Sequence, residues 1–75
     1  MPIAFVLLNT EVGSETDVLK ELRKTESVAE ALPVYGAYDI ILRVESSSMK
    51  ELKQNIFWKI RKMDYVTGTQ TLIIV

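Results

Sequence analysis

Val28-Ala29-Glu30-Ala31-Leu32-Pro33-Val34-Tyr35-Gly36-Ala37-Tyr38-Asp39-Ile40-Ile41-Leu42-Arg43-Val44-Glu45 is the stretch on which the fold turns. It reads as two strands, Val28 to Tyr35 and Tyr38 to Glu45, joined by a tight turn at Gly36-Ala37. Side chains alternate along a strand, so Ile40, Leu42 and Val44 share one face of the second strand and Asp39, Ile41, Arg43 and Glu45 the other. Pro33 has no N–H to give to a ladder, which puts the first strand of the pair at a sheet edge.

A helix and a further strand flank this hairpin on each side. Upstream, Ile3 to Leu8 is an unbroken apolar run closed by Asn9-Thr10-Glu11-Val12-Gly13, and its β-branched and aromatic content predicts a strand buried on both faces. Ser14 is positioned to cap a helix whose first turn carries Glu15 and Asp17, whose apolar stripe is Val18, Leu19 and Leu22, and whose last turn carries Lys20, Arg23 and Lys24. Downstream, Ser48 and Glu51 make a capping box. Met49, Leu52, Ile56, Ile60 and Met63 then recur at helical spacing, which predicts one long amphipathic helix over 48–62. A last strand runs from Val66 to Val75.

The order β-α-β-β-α-β predicts an α+β, ferredoxin-like plait: a four-stranded antiparallel sheet with two helices on one face. The first and third strands are central. A faint echo between Leu22–Val28 and Ile60–Val66, both helix ends leading into strands, fits two such halves in a single domain over residues 1–75.

The chain has no Cys and no His, which removes disulfides, thiolate chemistry and the commonest metal ligand. A 75-residue core is marginal without a staple, and association is the remaining source of stability. The runs Ile3–Leu8 and Leu72–Val75 are apolar at both parities, so greasy side chains must point away from the helices as well as toward them. Such a patch marks an interface. Two sheets packed face to face would bury it, and a homo-oligomer is expected. The apolar N-terminal run is too short to span a bilayer and lacks a basic flank. A cytoplasmic protein without a membrane segment is the expectation, and a net charge of −1 gives no general attraction to nucleic acid.

Two segments carry candidate binding chemistry. In Tyr35-Gly36-Ala37-Tyr38-Asp39, glycine lets a ligand approach the backbone, Asp39 can accept from an ammonium group and the aromatic faces can contact a cation. The plain alternative is a hairpin turn closed by Asp39. Thr67, Thr69 and Thr71 line one face of the last strand and can hold a carboxylate or an amino group, although threonine is also simply a good strand former. Lys50, Lys53, Lys59, Arg61 and Lys62 make the second helix basic, which reads as a solvated surface. Nucleophile–base pairs and phosphate-cradling glycine loops are missing, so no catalytic residue, metal site or cofactor is expected.

Over nearly its whole length the chain resembles the effector-binding domain of the Lrp/AsnC family of feast/famine transcriptional regulators: Val6-Leu7-Leu8-Asn9-Thr10-Glu11-Val12-Gly13, then Val28 and Val34-Tyr35-Gly36-Ala37-Tyr38-Asp39-Ile40-Ile41 with its Gly-x-Tyr-Asp hairpin, then Val66, Thr69, Thr71 and the aliphatic tail Leu72-Ile73-Ile74-Val75. The resemblance implies dimers formed through the sheets, closed rings of dimers, and an amino-acid effector held between dimers. It points to Gly36, Tyr38 and Asp39, with Thr69 and Thr71 as hydroxyl partners, and the neighbouring hairpin residues Tyr35 and Ala37 complete the expected ligand-binding set. Members of full length carry a helix-turn-helix that this sequence lacks. The domain is therefore expected to act as a stand-alone copy, without direct DNA binding, that senses effector and modulates transcription through itself or full-length regulators. Two other readings compete: an oligomerisation module without ligand, and a dimeric α/β-barrel enzyme.

Overall fold

In the computed structural model, which describes residues 2–74, β1 (Ile3–Thr10) divides its apolar run between two faces. Ala4, Val6 and Leu8 are fully buried, while Ile3, Phe5 and Leu7 are half-buried. Burial on both faces is thus corrected for the single chain: one face meets the helices, and no layer covers the other.

Helix α1 (Glu15–Arg23) buries Val18 and Leu22, with acids in its first turn and Lys20 and Arg23 in its last. The expected Ser14 cap is absent, since its side chain makes no cap bond. The entry is fixed by backbone instead. Ser14 N donates to Glu11 O at 3.0 Å, after a turn in which Gly13 takes φ +85°. Strands β2 (Val28–Pro33) and β3 (Ile40–Glu45) are each two residues shorter at the hairpin end than expected. The tight Gly36-Ala37 turn is a wider loop, closed where Val34 N donates to Asp39 O at 2.9 Å.

The second helix also departs from expectation. α2 (Met49–Gln54) starts as predicted, with Ser48 Oγ accepting from Glu51 N at 3.2 Å. From Asn55 to Ile60 the chain continues as a π-helix, and Arg61 N donates to Ile56 O five residues back. Ile56, Phe57, Trp58 and Ile60 are β-branched or aromatic, with modest helix propensity. The widened turns keep Ile56 and Ile60 buried while leaving Phe57 and Trp58 exposed. Strand β4 (Val66–Ile73) follows and ends before Ile74, short of the expected run to Val75, which itself lies outside the described residues.

The sheet order is β2-β3-β1-β4 with every neighbour antiparallel, which places β1 and β3 centrally and the Pro33 strand at an edge. Val18, Leu22, Leu52, Ile56 and Ile60 pack on Val6, Leu8, Ile40, Leu42 and Val44, so both helices cover the same face. The register sets out the uncovered face in rows. Leu32, Ile41, Leu7 and Gln70 run side by side across all four strands, and Glu30, Arg43, Phe5 and Leu72 form the next row. Arg43 is neutralised there by Glu30, at 3.0 Å, and by Glu45. Among the described residues no helix is long and apolar enough to cross a membrane.

Candidate ligand-binding site

The hairpin and the start of β4 meet at one end of the sheet, because Leu8 of β1 pairs with Ile40 on one side and with Thr69 on the other. Sequence-predicted residues Tyr35 to Asp39 form one loop there. Tyr35 is fully exposed at its tip. Gly36 takes φ +129°, where an L side chain is strained, although a Cβ at that position would meet nothing within 4 Å. The glycine is therefore needed for the backbone path and not to make room. Among the described residues the N–H groups of Tyr35, Gly36, Ala37 and Tyr38 make no hydrogen bond to backbone or side chain. They are free to donate to a ligand or to water.

Asp39 has a structural task. Its N–H donates to Leu8 O at 2.9 Å, and its Oδ2 accepts from Thr10 N at 2.9 Å and more weakly from Thr10 Oγ1 at 3.5 Å. The carboxylate thus ties the root of the hairpin to the end of β1, where Thr10 is buried. A charged acceptor on a part-buried N–H is worth about 1.5–3 kcal/mol. Asp39→Ala is expected to lower the unfolding free energy by about 2 kcal/mol in urea denaturation, and Asp39→Asn, which keeps an acceptor, by less than half of that.

Tyr38 and the two threonines lie on opposite faces. Tyr38 reaches across β1, and its hydroxyl donates to Gln70 Oε1 at 3.2 Å. Gln70 pairs with Leu7 and so belongs to the uncovered face. Thr69 and Thr71 pair with Leu8 and Val6, which places them on the helix-covered side. There Thr71 borders a groove of about 250 Å³ together with Lys53, Ile56, Phe57, Arg61 and Ile73. Thr67 and Thr69 border an adjoining one of about 230 Å³ with Arg61, Val66 and Gly68. One chain therefore brings the hairpin residues together and the threonines together, and holds the two sets apart. Arg61, which borders both grooves, stands in the sequence only as part of a basic helix surface. Its spacing of four from Phe57 was the available signal. No group of three or more carboxylates suited to a metal occurs among the described residues.

Comparison with known proteins supplies the family. The family model for the Lrp/AsnC ligand binding domain matches residues 3–75. An uncharacterized HTH-type transcriptional regulator of Pyrococcus abyssi is 32% identical over 72 residues, covering 96% of this chain and 46% of the relative. The chain thus spans about half the length of the relatives of this kind that it matches, which are named HTH-type transcriptional regulators. The crystal structure of FFRP-DM1 superimposes with a TM-score of 0.96 at 43% identity over the whole of both chains. A Neisseria meningitidis transcriptional regulator, solved as a complex with L-methionine, shares the fold with a TM-score of 0.87 at 16% identity, over 99% of this chain and 49% of that one. The chain belongs to the Lrp/AsnC ligand-binding domain family.

Proposed function

We propose that this domain binds an amino-acid effector at a contact between subunits and that occupancy adjusts its assembly, and through assembly the transcription that its regulators control. The observation that carries the reading is the uncovered sheet face, where Leu7, Ile41, Leu32, Phe5 and Leu72 adjoin in register. An apolar face of this kind calls for a second copy. Once such dimers associate further, the hairpin of one and the β4 threonines of another, which lie on the helix-covered side, can share a site that neither builds alone. The free N–H groups and the C=O groups at residues 35–38 suit the polar end of such a ligand. Asp39, held by Thr10, acts by shaping the loop and is not the principal ammonium acceptor.

The L-methionine bound to the Neisseria regulator supports the effector class. The helix-turn-helix regulators among the relatives support a cytoplasmic setting, in which this domain closes dimers into rings with itself or mixes with full-length regulators. DNA contact is left to those partners. The test is the mass of the assembly by light scattering, with and without a mixture of the twenty L-amino acids, followed by calorimetry with each. Binding of one amino acid, weakened about five- to tenfold in Thr69→Val/Thr71→Val by the loss of two hydroxyls, is the expected result. An unchanged mass with no heat from any amino acid would leave an oligomerisation module without ligand.

A further inference from the structure

Among the described residues the grooves along β4 are lined by positive charge and by no carboxylate side chain, and Arg61 borders both of them. Among the described residues Arg61, like every Lys and Arg except Arg43, has no acidic partner within ion-pair distance, so its guanidinium is available to a ligand. Its guanidinium carbon lies 5.0 Å from the centre of the Phe57 ring. That contact steadies the group without using its N–H donors. Lys53 adds a second cation at one groove, and Ile56, Phe57 and Ile73 give that groove an apolar wall. A planar donor fork beside threonine hydroxyls and an aliphatic wall suits a carboxylate attached to a short apolar group.

We propose that Arg61 receives the α-carboxylate of an amino acid with an apolar side chain, that Thr69 and Thr71 bond the same end of the ligand, and that the side chain lies against Ile56, Phe57 and Ile73. The proposal rests on the effector reading above and adds to it the residue that supplies the charge. It also assigns the π-helical segment a task. The widened turn turns Phe57 outward beside β4, next to Arg61 on the following turn.

The test compares an acid with its amide. Wild-type protein and Arg61→Gln are titrated by calorimetry with the twenty L-amino acids, with the α-amide of whichever binds, and with inorganic phosphate. Expected is an amino acid that binds wild type, a loss of about tenfold or more in Arg61→Gln, and a similar loss for the amide on wild type. In Arg61→Gln the acid and the amide should then bind alike. Arg61→Lys should recover part of the loss, because it restores charge without the fork. Arg61 is exposed, so the thermal midpoint and the assembly mass should match wild type in both variants. An acid–amide difference that persists undiminished in Arg61→Gln overturns this assignment and leaves the effector reading standing. Absence of binding by any amino acid overturns both. Saturable phosphate binding without amino-acid binding does the same, and marks Arg61 as a site for inorganic anions.

Discussion

Leu7→Asp is expected to leave the chain monomeric at micromolar concentration, with a thermal midpoint that no longer rises with protein concentration. Leu7 sits at the middle of the uncovered face, with Ile41 beside it on β3 and Gln70 on β4. No cation adjoins it in register. Phe5 is a poorer choice for the same test, since Arg43 lies next to it and would pair with a new carboxylate. In a two-fold dimer each copy contributes one aspartate to the same buried layer. An unpaired buried charge costs several kcal/mol, and the two together offset most of the roughly 8 kcal/mol that holds a micromolar dimer. Sedimentation velocity across a hundredfold range of concentration reads the outcome directly. A Leu7→Asp protein that still sediments as a dimer would show that copies associate by another surface, and the composite site would lose its basis.

The fold was legible because hydrophobic period and punctuation agreed along most of the chain. Pro33 assigned an edge, Ile40, Leu42 and Val44 assigned a core face, and Ser48 with Glu51 started a helix where one starts. The unbroken run Ile3–Leu8 carried less than it promised. Uniform hydrophobicity hides parity, and only pairing with β3 shows that Ile3, Phe5 and Leu7 face away from the helices. The π-helical turns at Asn55–Ile60 were hidden for a related reason. The stripe Leu52, Ile56, Ile60 satisfies an ordinary helix as well as a widened one, so period alone could not separate them.

The candidate site was legible in its segments and not in its geometry. The hairpin glycine and the alternating threonines could be found by local rules. The placement of Tyr38 and the threonines on opposite faces depends on the β1–β4 register, a pairing across some 60 positions of sequence that no local pattern encodes. Asp39 shows the same limit. The sequence left it open between ligand acceptor and turn closure, and the contact that weighs toward structure comes from Thr10, 29 residues away. Arg61 is hidden in the sequence because a basic helix is usually only a solvated one, and its distinguishing feature, a place over Phe57 and beside both β4 grooves, is a property of the folded chain.

Leu42→Ala is expected to cost about 3 kcal/mol of unfolding free energy, and to do so at every protein concentration. Leu42 is fully buried at the centre of β3, paired with Val6 of β1 on one side and Ala31 of β2 on the other, so neither neighbour can swing in to fill the space. Ala31 is already small, and Val6 is β-branched and stiff. A cavity that its sheet neighbours cannot fill excludes the low end of the roughly 2–5 kcal/mol range for Leu→Ala. A domain of this length has about 4–11 kcal/mol in total, so the loss is a large fraction, and it corresponds to a fall in midpoint on the order of 15 °C. Association adds stability through the uncovered face, and Leu42 points to the other one. The two substitutions should therefore separate cleanly in urea titrations at two protein concentrations. Leu42→Ala shifts the midpoint by the same amount at both, while Leu7→Asp removes the difference between them. A Leu42→Ala protein within 1 kcal/mol of wild type would mean that the helix-covered face is not the layer that holds the domain together.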